Sequence, residues 1–405
     1  MPEFIKRTEY IKKIKPYIDK AIIKVLVGQR RVGKSYMLLQ LMELIKELHP
    51  QAHILFINKE SYEFDFIRDH HDLMNFIKQK MSKDKKNYIF IDEIQDITDF
   101  EKVLRSLHND LNFDIYCTGS NAQMLSGELS TYLSGRFIEV KIYGLSYSEF
   151  LTFHKLSNSK ETFFKYIKLG GLPFLKNLEL SETIVYDYLR NVYNTIMFKD
   201  IISRYQIRNV SFLESLVKFL ADNVGSLVSA KRISDFLKSQ KIAISPNLVI
   251  DYLSYICSSY FVYKVQRSEI GGKKIFEIGE KYYFEDLGLR HTLIPYSIND
   301  INKVLENIVY RHLIFLGYTV TVGKSGHREI DFICTRGSEK LYIQTSYLLS
   351  DEKVMEREFG NLLSIQDNYP KMVLSMDEVA GSEYKGIEHR HIIDFLLNFR
   401  GILKT

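Results

Sequence analysis

Ile22-Ile23-Lys24-Val25-Leu26-Val27-Gly28-Gln29-Arg30-Arg31-Val32-Gly33-Lys34-Ser35-Tyr36 decides the fold: an apolar β-rich run, a loop matching G-x-x-x-x-G-K-[S/T] throughout, and the start of a helical pattern. Gly28 and Gly33 let the loop curl into a nest of backbone N–H groups that, with the helix N-terminus behind it, faces an anion. A strand, this loop and a helix in that order make a phosphate-binding P-loop, with Gly28 to Tyr36 as its nucleotide contacts. Lys34 is expected on the β- and γ-phosphates, and the Ser35 hydroxyl on Mg²⁺.

Tyr88-Ile89-Phe90-Ile91-Asp92-Glu93 is a buried-strand run ending in two carboxylates, which belongs at the nucleotide crevice of a parallel sheet. Asp92 is placed to hold Mg²⁺, and Glu93 to act as the general base that orients water toward the γ-phosphate. That pair favours hydrolysis. Asn58-Lys59-Glu60-Ser61 lacks the Asp of a guanine reader, so ATP is the expected nucleotide.

The whole chain sets outer limits. Its 405 residues exceed one ordinary core and suggest about three domains; 45% apolar and 26% charged residues are the proportions of a globular protein. No apolar run approaches the roughly 18 residues that span a bilayer, and the charged start lacks a signal segment, so a cytoplasmic, non-membrane protein is expected. Cys117, Cys257 and Cys334 are isolated, arguing against a disulfide framework or a zinc site. Asp69-His70-His71-Asp72 reads as a solvated helix start, because neighbouring helical histidines diverge.

A net charge of +5 is too modest for a polycationic binder, so any nucleic-acid footprint must be local. Between Val210 and Ile275, nine Lys or Arg face five acids. The same stretch reads as a helix from Phe212, a short helix around Lys231 and Arg232, and a third helix opened by Ser245-Pro246. Two strands around Gly271-Gly272 follow, completing the order of a winged helix-turn-helix. Its third helix would read a groove of double-stranded DNA, with Lys231, Arg232, Arg267, Lys273 and Lys274 as contacts. A purely structural or protein-docking role is the alternative.

These residues resemble a known group. The P-loop, Asp92-Glu93-Ile94-Gln95, Thr118-Gly119-Ser120-Asn121, Leu133-Ser134-Gly135-Arg136 and Tyr143 to Phe150 are similar to the AAA-type ATPases of bacteria and archaea usually named only "ATP-binding protein". The likeness runs through Leu169-Gly170-Gly171-Leu172-Pro173 into a C-terminal domain of unknown function; Gly144 and Tyr147 depart mildly from the usual pattern. It implies a sensor at Ser120 or Asn121, and an arginine finger at Arg136, acting in cis or across a contact in a homo-oligomer. The helical residues 151–209 would then be a lid.

Near the C-terminus, a helix carrying Glu306, strands carrying Asp331 and Gln344, and a helix from about Asp351 resemble the restriction-endonuclease-like PD-(D/E)xK fold. In that fold such acids gather Mg²⁺, but Gln344 and Ser346 stand where Glu and Lys are expected, which points to a degenerate site. The expected fold class is α/β: a P-loop NTPase parallel sheet (1–150), a helical lid (151–209), a winged helix-turn-helix (210–285) and a nuclease-like α/β domain (286–405). Two functions remain open: an ATPase that couples nucleotide state to DNA, or an ATP-regulated metal-dependent nuclease. A nucleotide-switched protein scaffold is a third.

Overall fold

The computed structural model describes residues 5–121, 133, 135–239, 244–270, 279–349, 351–378 and 383–402. They form two compact units, one of residues 1–144 with 258–260 and one of 145–257 with 261–405.

The first unit holds a five-stranded parallel sheet ordered β2-β3-β4-β1-β5, with β1 Ile23–Val27, β2 His53–Asn58, β3 Asn87–Asp92, β4 Phe113–Gly119 and β5 Phe137–Lys141. Every residue of β1 and β3 is buried, which explains why both read as continuous apolar runs rather than alternating ones. Even Lys24 is buried; its ammonium meets Asp114 and lies 5.0 Å over the Tyr116 ring. Burial pulls the Lys24 ammonium down, with Asp114 opposing.

Helix α1 spans Thr8–Ile14 and α2 spans Lys34–Leu48, directly after the P-loop. Met37, Leu38, Leu41 and Ile45 recur at helical spacing and bury one face of α2. Arg7, just before α1, is buried and donates to the carbonyls of Val32 at 3.1 Å and Tyr143 at 2.9 Å, bracing the P-loop from behind. Helices α3 (His70–Lys80) and α4 (Phe100–His108) complete the unit. Asp69 caps α3 by accepting from the amides of His71 and Asp72, so the Asp-His-His-Asp run is the helix start the sequence suggested, although the centroids of the His70 and His71 rings lie 3.9 Å apart instead of diverging.

The second unit opens with helices α5 (Tyr147–His154), α6 (Lys160–Leu169) and α7 (Glu182–Thr195). Ser146 and Glu149 form a reciprocal capping box at α5. Then come α8 (Val210–Asp222), α9 (Ala230–Ser239) and α10 (Pro246–Ser258), with Ser245 accepting from the Leu248 amide at 3.3 Å. Strands β6 (Val262–Glu269) and β7 (Glu280–Phe284) pair antiparallel.

After α11 (Leu287–Leu293) and α12 (Ile301–Phe315) the chain lays down β8 (Thr319–Ser325), β9 (Arg328–Arg336) and β10 (Glu339–Thr345), then α13 (Glu352–Leu363). β11 (Lys371–Ser375), β12 (Glu383–Tyr384), β13 (Ile387–His391) and α14 (Ile392–Asn398) finish it. The helix, three antiparallel strands and helix expected near the C-terminus are therefore present. However, β6 pairs with β8, Arg267 opposite Val322, and merges the hairpin with the C-terminal strands into one eight-stranded sheet. Arg267 is accordingly a half-buried ladder residue instead of part of a free wing; Lys273 and Lys274 lie outside the described residues.

Candidate nucleotide site

Two features of the P-loop are local consequences of its glycines, and a third is not. Gly28 has φ 151°, and a Cβ there would stand 2.1 Å from the Ile142 carbonyl oxygen. Gly33 has φ 96° and releases the chain into α2. Arg31, with φ 71°, takes the left-handed conformation without that freedom, a strain of the kind that concentrates at binding loops.

Lys34 is buried, and its ammonium is held by the carbonyls of Gly28 at 3.1 Å and Gln29 at 3.2 Å, with the Glu93 carboxylate at 3.5 Å. A cation already collected by weakly charged and anionic oxygens inside the loop is positioned for phosphate oxygens, which bring more charge. Asp92 ends β3 beside it. Its carboxylate accepts from Thr118 Oγ1 at 2.5 Å and is hydrogen-bonded with Ser35; burial nevertheless lifts the Asp92 carboxyl, opposed by those two hydrogen bonds. Hydroxyl and carboxylate oxygens are the hard donors Mg²⁺ takes, so Ser35 and Asp92 fit that ion.

Glu93 sits at φ 53°, past the strand end, with its amide donating to Thr118 Oγ1 at 2.8 Å. Burial alone would raise its carboxyl, but Lys34, the amide of Gln95 and Arg30 more than offset that and hold it below the usual range. The base is thus kept ionised. Gln95 donates through Nε2 to Glu93, while its buried Oε1 has no hydrogen-bond partner among the described residues. Thr118 and Gln95 stood in motifs quoted from the sequence but received no role there, and Arg7 received none either. Only Gln95 carried a signal, since a residue two beyond Glu93 can turn back on it.

Ser120 and Asn121 lie at the end of β4, both fully buried, and Ser120 Oγ lacks a partner among the described residues. The Gln29 side chain is likewise buried with neither polar atom engaged. Arg30 is 3.4 Å from Glu60; Arg31 and Tyr36 are exposed. Arg136 is not brought to the loop. Its carbonyl accepts from Ile23 at the start of β1, whereas the P-loop follows Val27 at the other end, so a strand length of about 13 Å separates the two levels. A finger role in cis does not follow from that placement.

Comparisons with known proteins bear on the domain that holds this loop. A family model described as "AAA domain" matches residues 20–151, and one described as "Domain of unknown function (DUF8612)" matches residues 160–300. An uncharacterized protein of Haemophilus influenzae is 36% identical over 402 residues, covering 97% of this chain and 98% of its own. This chain belongs to that protein's family. Its N-terminal part is an AAA P-loop NTPase domain. The uncharacterized protein MJ1544 of Methanocaldococcus jannaschii is 30% identical over 351 residues, covering 83% of this chain and 77% of its own. Among solved structures, the Aeropyrum pernix ORC1 protein in complex with DNA aligns at 11% identity and TM-score 0.33, covering 72% of this chain and 93% of that one. AMPPCP-bound DnaA from Aquifex aeolicus aligns at 15% and 0.30, covering 54% and 71%. Structural likenesses at that level carry no functional inference.

The second unit gathers the acids singled out in the sequence. Glu306 on α12 and Asp331 on β9 lie near each other, and Gln344 Oε1 accepts from the Asp331 amide at 3.2 Å. Lys281 of β7 enters the same group, 2.7 Å from Glu306, 2.8 Å from Glu329 and 3.7 Å from Asp331. That ammonium competes with any divalent cation for the same carboxylate oxygens. Ser346 donates to the Leu348 carbonyl at 3.3 Å, and Lys353 is exposed. On α9, Lys231 and Arg232 are exposed. The exposed residues of α10 are Pro246, Asn247, Ile250, Asp251 and Ser254, none of them cationic. The groove-reading role assigned to that helix from sequence therefore lacks the charge to bind a polyanion, and Asp251 would repel one.

No described helix is long and apolar enough to cross a membrane.

Proposed function

We propose that this chain binds ATP with Mg²⁺ in the Gly28–Ser35 loop and hydrolyses it, Glu93 serving as general base. The observation that carries this reading is the single charge-linked group Lys34, Glu93, Asp92, Ser35 and Thr118. Lys34 would pass from its carbonyls to the β- and γ-phosphates, while Ser35 and Asp92 hold the metal, which supplies charge neutralisation when bound. Glu93, freed of Lys34 but still held by Gln95, would then accept the proton of the attacking water. Ser120 and Asn121, buried at the neighbouring strand end, suit a sensor of the γ-phosphate.

Further out, nucleotide state would be relayed through the lid helices of 151–209 to a DNA-engaging winged helix at 210–285, with the nuclease-like 286–405 segment catalytically silent. The exposed cations of α9 support DNA contact and move it from the third helix of that motif to the second. Any transition-state role for Arg136 belongs to a second copy of the chain.

Steady-state phosphate release and nucleotide binding test the core of this. Lys34→Ala should lose nucleotide affinity, whereas Glu93→Gln should bind normally and lose turnover by roughly 100-fold or more. Unimpaired hydrolysis by Glu93→Gln would sink the base assignment.

A further inference from the structure

The acids of the second unit were read from sequence as a degenerate metal site, and in the structure they are largely engaged by one lysine and its neighbours. Lys281 and Tyr283 are two apart on β7 and therefore face the same side of the sheet. Both converge on Glu306 Oε1, the ammonium at 2.7 Å and the phenol hydroxyl in closer contact still. Gly225 lies beside that carboxylate: a Cβ added there would stand 3.1 Å from Glu306 Oε2, so a larger residue would crowd it.

Asp331 is equally committed. Its Oδ2 accepts from the Thr345 amide at 2.8 Å, its Oδ1 is 3.7 Å from Lys281, and Gln344 is turned onto the Asp331 backbone amide. Glu329 closes the ring of acids at 2.8 Å from the same ammonium. Among the described residues no three His, Cys, Asp or Glu side chains are arranged to hold a metal ion. Lys281 itself is 3% exposed, so it is not a surface lysine that happens to lean on an acid. Burial would strip its proton, but Glu306, Asp331 and Glu329 more than offset that and keep it charged.

We propose that Lys281 is the resident cation of this pocket: its ammonium takes the place of a divalent metal among Glu306, Glu329 and Asp331, so these acids clamp strand β7 to α12 and β9 instead of supporting metal-dependent chemistry. The lysine comes from outside the helix–strand order that suggested a nuclease, from the hairpin strand before it. An internal cation is held by the chain at an effective concentration no free ion matches, and it cannot be chelated away. The clamp stands independently of the nucleotide reading.

The nucleotide-free full chain, probed with millimolar Mn²⁺, tests it by thermal melting and by paramagnetic resonance of free Mn²⁺. Wild type should take up no Mn²⁺ that Asp331→Asn removes, and its melting midpoint should not move with the ion. Lys281→Met should lower the midpoint by roughly 5–15 °C, because the buried Asp331 and the partly buried Glu306 and Glu329 lose their shared counter-ion. Mn²⁺ should restore much of that loss, and adding Asp331→Asn should abolish the restoration. The wild-type arm decides even where Lys281→Met does not fold: uptake that disappears in Asp331→Asn overturns the proposal. A Lys281→Met protein that melts like the wild type, or is indifferent to Mn²⁺, overturns it as well.

Discussion

Glu93 is held between two unlike partners, and they answer to different events. Lys34 must leave it for phosphate, but Gln95 need not. Once the ammonium has moved, the Gln95 amide is the remaining donor keeping the carboxylate in line. Gln95→Ala should therefore raise the Glu93 carboxyl in the nucleotide complex, moving the acidic limb of kcat to higher pH while nucleotide affinity stays unchanged. A pH–rate profile superimposable on the wild type would show that Gln95 does not orient the base. The sequence carried Lys34, Ser35, Asp92 and Glu93 because each sits in a short contiguous motif whose spacing is fixed by one strand or one loop. Thr118 was invisible in this respect, since its bonds to Asp92 and to the Glu93 amide depend on β4 lying beside β3.

At the scale of elements, α9 and α10 divide what the sequence had joined. Apolar periodicity placed both helices and the Ser245 cap correctly, because burying one face and capping one end are local needs. The thirteen residues of α10 include no Lys or Arg, so its lack of cations was already in the sequence; packing decides only which way the charges of α9 face. Lys231 and Arg232 are outward on α9, whereas α10 shows Ile250 and Asp251. Replacing Lys231 and Arg232 together with Ala should weaken duplex binding and reduce the slope of log affinity against log salt by up to about 2, while Asn247→Ala should leave the slope unchanged. Equal affinity and slope in the double variant would leave the scaffold reading in its place. The hairpin differs for a related reason. Its first strand was legible from alternation, but the second strand expected at 274–278 and its Gly271-Gly272 turn lie outside the described residues and β6 pairs with Glu280–Phe284; the capture of β6 by β8 joins residues more than fifty positions apart and leaves no mark on either segment.

For the molecule as a whole, pH reaches stability through histidines sealed in the second unit. His291 is pushed down to about 3 by burial and then by Arg290; His312 is pushed down to about 3 by burial and then by Arg400. In the unfolded chain an imidazole titrates near 6.5, so between about 6.5 and 3 the unfolded state binds protons that the native state refuses. The stability each contributes is full above about 6.5 and falls with pH by about 1.4 kcal/mol per pH unit below it. Asp286 and Asp331, whose carboxyls burial raises, act with the opposite sign. His312→Phe, measured against wild type by denaturant melts from pH 7 to 5, should therefore lose less stability on acidification; parallel curves would mean that His312 is not held neutral.

What the sequence by itself determined was whatever one segment can specify: the P-loop and its glycines, the acid pair closing a buried strand, the helix starts, and the apolar runs of a parallel sheet. Tertiary structure alone decided that Arg136 stands at the far end of the strands from the loop, that Thr118 attends Glu93, and that Lys281 enters the acidic pocket. The physical reason is that backbone preference and hydrophobic period act over a few residues, while charge pairing acts through space between strands whose neighbours the chain order does not name.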